Sequence, residues 1–159
     1  MIKIESATTR HIPEVQQIFE QAIKVTAPAH YSSKQMDIWL QRGNNPERWS
    51  AKIEKDYFII VGSLQSQSSL VGFASLQANG YIDVIYVHPG FLRQGIASFL
   101  LQKLEEKANH LALPTLTVDS SLIAIPFFLK REYQVVTASP KEIGGATFPN
   151  TLMQKILVS

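Results

Sequence analysis

The residues of this 159-residue chain best suited to chemistry lie in one run, Val87-His88-Pro89-Gly90-Phe91-Leu92-Arg93-Gln94-Gly95-Ile96-Ala97. An apolar strand pattern over Tyr81–Val87 stops at Pro89-Gly90. A helical pattern opens at Gly95 and runs to Asn109, with Ile96, Leu100, Leu101, Leu104 and Ala108 on one face. A helix start exposes unpaired N–H donors and carries about half a positive charge. A glycine and a small residue there let an anion approach the backbone. The chemistry this predicts is the holding of a phosphate or pyrophosphate. Gly90 and Gly95 have the spacing of a Walker A loop, but Ile96-Ala97 stands where that loop needs Lys and Ser or Thr. No Gly-x-Gly-x-x-Gly occurs, so a dinucleotide fold has no support.

Other chemistries are excluded by what the chain lacks. It has no cysteine, hence no disulfide, thiolate nucleophile or Cys-ligated zinc. Its four histidines (His11, His30, His88, His110) show no HExxH or HxH spacing, so no metal site is expected. A net charge of +2, with Lys and Arg scattered, argues against a nucleic-acid partner. No apolar run approaches the roughly 20 residues of a membrane span, and Met1-Ile2-Lys3-Ile4-Glu5 alternates unlike a signal peptide. A single cytoplasmic domain over residues 1–159, with no membrane partner, is the expectation.

The elements that must position the loop follow from periodicity. A strand is expected over residues 2–8 and an amphipathic helix from Ile12 to Val25, with Pro13 in its first turn. Ala27–Tyr31 breaks it. Ser32 and Gln35 form a capping box for a helix across Met36–Leu40, and Asn45-Pro46 starts another through Trp49 and Ile53. Strands Tyr57–Leu64 and Leu70–Gln77 flank a polar loop at Gln65–Ser69, and Asn79-Gly80 turns into the third. A short strand Thr115–Val118, a short helix Ile123–Lys130, and strands Tyr133–Ala138 and Thr147–Leu157 complete the chain. The order predicts an α+β protein, with a mixed, mostly antiparallel sheet of six or seven strands flanked by helices.

The loop resembles motif A of the GNAT acetyltransferases, Val-x-Pro followed by Arg/Gln-x-x-Gly-x-Gly/Ala, through Val87, Pro89, Gly95 and Ala97. Ser121 to Tyr133 is similar to that family's later Ser…Ala…Phe-Tyr…Gly-Phe motif. His30-Tyr31-Ser32 and Tyr81-Ile82-Asp83 are similar to its small bacterial YafP-type branch. The resemblance implies the GNAT fold and acetyl-CoA as co-substrate. It implies that Ile85, Tyr86 and Val87 pair with the pantetheine amides through their backbone. The N–H groups of Arg93, Gln94, Gly95, Ile96, Ala97 and Ser98 would hold the pyrophosphate, with Ser121 and Phe128 beside the lower coenzyme. Two positions depart from the family: Leu92 replaces Arg or Gln, and Phe128 stands where a tyrosine often protonates the leaving thiolate.

For a primary-amine acceptor of pKa about 10.4, reaching the neutral form at pH 7 costs about 4–5 kcal/mol, against about 2 for releasing a thiolate of pKa about 8.5. A base therefore matters more than an acid. Asp83 is the candidate, a carboxylate in an otherwise apolar strand where burial would raise its pKa. Simple alternation places it on a face with Tyr81, Ile85 and Val87. Its alternative role is a structural carboxylate bonded to a neighbouring Ser, Tyr or backbone N–H. His30 and Tyr31, in the break after the first helix, are candidates for the acceptor wall, with His30 a possible base and Tyr31 an acid or substrate donor. Tyr81 joins them as a substrate contact. The alternative for His30 and Tyr31 is packing against Trp39 or Trp49. Tyr133 is expected to pack under the last strands, Phe127 in the core, and His11 and His110 at solvated helix ends.

The leading expectation is an N-acetyltransferase acting by direct attack through a tetrahedral intermediate on a small-molecule or peptide amine. A non-catalytic acyl-CoA sensor on the same fold, or a nucleotide-binding α/β protein outside the family, are the alternatives. The terminal strand pair offers a homodimer edge.

Overall fold

The structure, a computed structural model, describes residues 2–63 and 69–157. The loop expected at 65–69 lies outside the described residues except for Ser69, as does Leu64 at the end of its strand. Among the described residues seven strands form one sheet in the order β1-β2-β3-β4-β5-β9-β6: β1 Ile2–Ser6, β2 Tyr57–Ser63, β3 Leu70–Leu76, β4 Tyr81–Val87, β5 Thr115–Ser120, β6 Gln134–Ala138 and β9 Thr151–Ile156. Neighbours are antiparallel except β4 and β5, which run parallel. A second, two-stranded hairpin pairs β7 (Lys141–Ile143) with β8 (Ala146–Phe148). The expected strand Thr147–Leu157 is thus two strands. Pro149, which has no N–H to give a ladder, falls at the break.

Among the described residues five helices cover the sheet: α1 Ile12–Thr26, α2 Ser33–Gly43, α3 Pro46–Lys55, α4 Ile96–His110 and α5 Ile125–Lys130. The start of α2 carries the expected capping box. Gln35 N–H donates to Ser32 Oγ at 3.1 Å, and Ser32 N–H to Gln35 Oε1 at 2.8 Å. Two cores result, one on each face. On one face α4 packs Leu100, Leu101 and Leu104 with Ile82, Val87, Leu116, Phe128, Tyr133 and Met153. On the other, α1, α3 and the β7–β8 hairpin bury Phe19, Ile23, Tyr31, Trp49 and Phe148 against Phe58, Ile60 and Phe73.

Two glycines set how closely helices meet their neighbours. A Cβ on Gly72 of β3 would lie 3.2 Å from Ile96 Cγ2 and from Leu100 Cδ1, so the first turns of α4 sit directly on the sheet. A Cβ on Gly43, where α2 ends, would strike the Phe19 ring at 2.3 Å. Its carbonyl accepts from Trp49 Nε1 at 2.8 Å and from Gln16 Nε2 at 3.1 Å, joining α1, α2 and α3.

Candidate active site

After β4 the chain enters a short 3-10 turn, Pro89–Phe91. His88 ties this turn to the sheet: its N–H donates to the Val71 carbonyl at 2.7 Å, and its Nδ1 accepts the Gly90 N–H at 2.9 Å. Arg93 (φ 62°) and Gly95 (φ 80°) then take left-handed conformations on either side of Gln94. Left-handed residues in such a turn gather N–H groups into a concavity suited to anions. Arg93 is not a glycine, and holding it there costs about 1–3 kcal/mol. Arg93, Gln94 and Gly95 are exposed, and a Cβ on Gly95 would meet nothing within 4 Å. Among the described residues the N–H groups from Gln94 to Ser98 have no hydrogen-bond partner, the first intrahelical bond here running from Phe99 N–H to the Gly95 carbonyl at 2.9 Å. The loop presents donors to open space.

The hydroxyl of Ser98 is already committed. It accepts from Arg131 Nε at 2.9 Å and from Arg131 Nη2, while Arg131 Nη1 donates to the Phe127 carbonyl at 3.0 Å. The guanidinium also lies 3.9 Å from the Phe127 ring centre. Arg131, which sequence reasoning missed, therefore fastens the end of α5 to the first turn of α4. Arginine just past a short helix is too common a surface feature to have signalled this.

The loop faces a gap in the sheet. Parallel pairing of β4 with β5 is confined to Tyr81↔Thr117 and Ile82↔Val118, although β4 continues to Val87 and β5 to Ser120. Beyond Ile82 the two strands separate, leaving the backbone groups of Ile85 and Val87 without a strand partner. Tyr86, expected to join them, is a correction: with His88 N–H bonded to Val71 and Tyr86 opposite Phe73, its N–H and carbonyl turn toward β3. On the α1–α2 side a chain of contacts links the two arms. Leu122 N–H, just past β5, donates to the Tyr31 hydroxyl at 2.9 Å. The Tyr31 ring meets Trp39 edge-on at 5.1 Å, and Trp39 Nε1 donates to the Tyr86 hydroxyl of β4 at 3.3 Å. Trp39 is half-buried and forms part of this bridge, whereas Trp49 is a buried core anchor.

Asp83 stands where the gap begins. Between β3 and β4 the register steps from Ser75↔Val84 to Leu76↔Ile82, so Asp83 is the extra residue of a β-bulge. The bulge corrects the alternation expected for β4. Ile82, Ile85 and Val87 pack on the α4 face, Val84 and Tyr86 on the other, and Asp83 reaches Lys52 of α3 instead of sharing a face with Ile85 and Val87. Its partner is this lysine, and both side chains are largely covered. Tyr81, just before it, donates to Asp119 Oδ2 at 3.2 Å. Burial first, then the Asp119 and Asp83 charges, push its phenol well above the ordinary range. Lys141 of β7 approaches the same Asp119 oxygen at 3.4 Å.

His30 and Tyr31, adjacent in sequence, part company in space. Tyr31 is buried, and its phenol is raised mainly by that burial, against the lowering hydrogen bond from Leu122. His30 is exposed, with no side-chain hydrogen bond among the described residues. Ser121 is half-buried, its Oγ accepting the Ala124 N–H at 3.3 Å. Phe128 is 3% exposed and packs on Phe127 and Tyr133, whereas Phe127, expected in the core, is the half-exposed ring. Tyr133 packs under the last strands as expected, its hydroxyl donating to Glu105 at 2.8 Å. His11 is a correction: it is buried, its Nδ1 accepting the Thr8 N–H at 3.0 Å.

A mixed sheet that opens between two parallel strands, with an uncapped helix start beside the opening, defines the GNAT acetyltransferase fold. Residues 27–157 match the family model described as acetyltransferase (GNAT) domain, and the chain belongs to that family. It is similar to the uncharacterized N-acetyltransferase YafP of Escherichia coli K12, 36% identical over 137 residues that span 86% of this chain and 84% of that protein. A GCN5-related N-acetyltransferase from Rhodopseudomonas palustris superposes with a TM-score of 0.91 at 28% identity, covering 98% of this chain and 95% of that one. PaiA N-acetyltransferase from Thermoplasma acidophilum, solved in complex with coenzyme A, shares the fold with a TM-score of 0.81 at 15% identity, covering 99% of each chain. No helix among the described residues is long and apolar enough to cross a membrane.

Proposed function

We propose that the chain, as a single domain, transfers the acetyl group of acetyl-CoA to a primary amine by direct attack, through a tetrahedral intermediate. The observation that carries this is the open donor loop at Gly95 lying beside strands that part after Ile82. In this reading the N–H groups from Arg93 to Ser98 hold the pyrophosphate. The free edge of β4 at Ile85 and Val87 receives the pantetheine amides, with Ser121 across the gap. The N–H at Val87 would then face the thioester oxygen as charge develops. That PaiA N-acetyltransferase, which shares the fold, was solved in complex with coenzyme A supports a coenzyme as the ligand.

Asp83 accepts the amine's proton in this scheme, directly or through water. Its pairing with Lys52 holds the carboxylate in place until an acceptor arrives. Tyr31 returns a proton to the departing thiolate. A phenol held above its ordinary range stays protonated at neutral pH, and its hydroxyl lies at the β5 side of the gap beside Ser121. It takes the role that Phe128 cannot fill. His30 and Tyr81 would contribute to the acceptor wall and mouth.

Titration calorimetry with acetyl-CoA, CoA, ATP and NAD side by side, followed by thiol release with a panel of amines, tests the proposal. Heat with CoA and amine-dependent thiol release are expected. Heat with ATP alone would overturn it. Binding without turnover would favour the acyl-CoA sensor, a reading that the buried Phe128 supports.

A further inference from the structure

Around Asp83, on the face away from α4, lies a basic cluster of which the proposed chemistry uses only Lys52. Arg42 sits in the last turn of α2 and Arg48 in the first half of α3, with Lys52 one turn further on. All three are half-buried. Lys52 is spent on Asp83. Neither arginine has a side-chain hydrogen bond or ion pair among the described residues. They lie close together: Trp49, next after Arg48, donates its Nε1 to the carbonyl of Gly43, next after Arg42, at 2.8 Å. Burial first, then the Arg48 charge, lowers the Arg42 guanidinium, while Asp83 works to raise it. Asp56, the other carboxyl nearby, is raised by burial and then by the Asp83 charge, so the acidic side of the cluster is already crowded. Two half-desolvated guanidiniums beside the base, without an anion of the protein to pair with, are an incomplete arrangement.

We infer that Arg42 and Arg48 receive a carboxylate of the acceptor, so that the substrate is a small amino acid whose amine is thereby delivered to Asp83. The inference rests on the transferase reading above. A guanidinium fork matches a carboxylate in two parallel hydrogen bonds and fixes its orientation, which a lysine does not. A polyamine would instead bring a second ammonium up to two unpaired cations, and is disfavoured.

The test compares each of several amino acids with its own carboxamide at saturating acetyl-CoA. The carboxamide has nearly the same shape, no charge, and an amine at least as reactive. The wild-type protein should favour the carboxylate at least tenfold in kcat/KM, chiefly through KM. In Arg42→Gln, Arg48→Gln and the double variant that ratio should fall toward one, while calorimetric affinity for acetyl-CoA stays as in the wild type. Turnover of amines with no preference for the carboxylate, a preference for polyamines, or variants that keep the ratio would overturn the inference and leave the transferase reading standing. Acetyl-CoA binding with no amine acetylated would sink both.

Discussion

The hydroxyl of Tyr31 accepts the backbone N–H of Leu122 at 2.9 Å, so the break between α1 and α2 is bonded to the turn that follows β5. Tyr31→Phe separates the tie from the chemistry. Losing the acceptor should cost about 1 kcal/mol of stability. If the phenol also protonates the thiolate, kcat should fall about 100-fold with KM for acetyl-CoA nearly unchanged. Steady-state kinetics and a denaturant titration check the two effects, and an unaltered kcat would leave Tyr31 a purely structural group.

Gly95→Ala should spare the fold and harm the ligand. Nothing lies within 4 Å of the added methyl, so the only folding cost is the left-handed backbone, about 1–2 kcal/mol. The methyl would stand in the concavity offered to the anion. Calorimetry should find CoA affinity lowered at least tenfold, with the melting temperature of the free protein only slightly reduced.

Gly43→Ala should do the reverse. Its methyl would press 2.3 Å from the Phe19 ring, which is held by Trp49 at 5.4 Å and Tyr86 at 4.9 Å and has little room to retreat. Overpacking of this kind costs about 1–3 kcal/mol. The double variant Gly43→Ala/Phe19→Leu should recover part of that loss in a urea titration. Equal stability of the single variant and the wild type would refute the steric account.

Alkali should unfold the protein through its tyrosines. Tyr31, Tyr81, Tyr86 and Tyr133 are all raised in the folded state, each mainly by burial. Below about pH 10 both states keep these protons and the groups leave stability independent of pH. Above it the unfolded chain ionises first and binds fewer protons than the native state. Stability then falls by up to about 1.4 kcal/mol per pH unit for each group. Phenolate absorbance should therefore show these four residues ionising together with unfolding. Their independent titration in a folded protein near pH 10 would contradict the burial described.

The sequence made local structure legible wherever short-range chemistry decides it. Ser32 with Gln35 and Asn45 with Pro46 mark helix starts because capping bonds span only two or three residues. The apolar spacing from Ile96 to Ala108 likewise marks α4 within a residue of its bounds. The misreadings needed a partner strand or a distant side chain. Counting by twos through β4 cannot reveal that Ser75 and Leu76 face three residues, so alternation alone turns Asp83 to the wrong face. His11 reads as a polar helix end, yet Thr8 gives its ring a bonded place inside. Phe127 and Phe128 are indistinguishable until the position of Tyr133 selects which ring is buried. Arg42 and Arg48, six residues apart across a helix boundary, carried no pattern at all.

The two-rung seam between β4 and β5 makes this protein resemble a book bound at one end of its spine. Four strands hang from one cover and three from the other. A molecule lying along the open margin would supply the backbone bonds that the strands themselves do not exchange, and would act as glue between the covers. Since only the native form offers that margin, each tenfold rise in concentration above Kd should add about 1.4 kcal/mol to the free energy of unfolding. Cellular supply of the ligand would then govern the lifetime of the protein as well as its turnover.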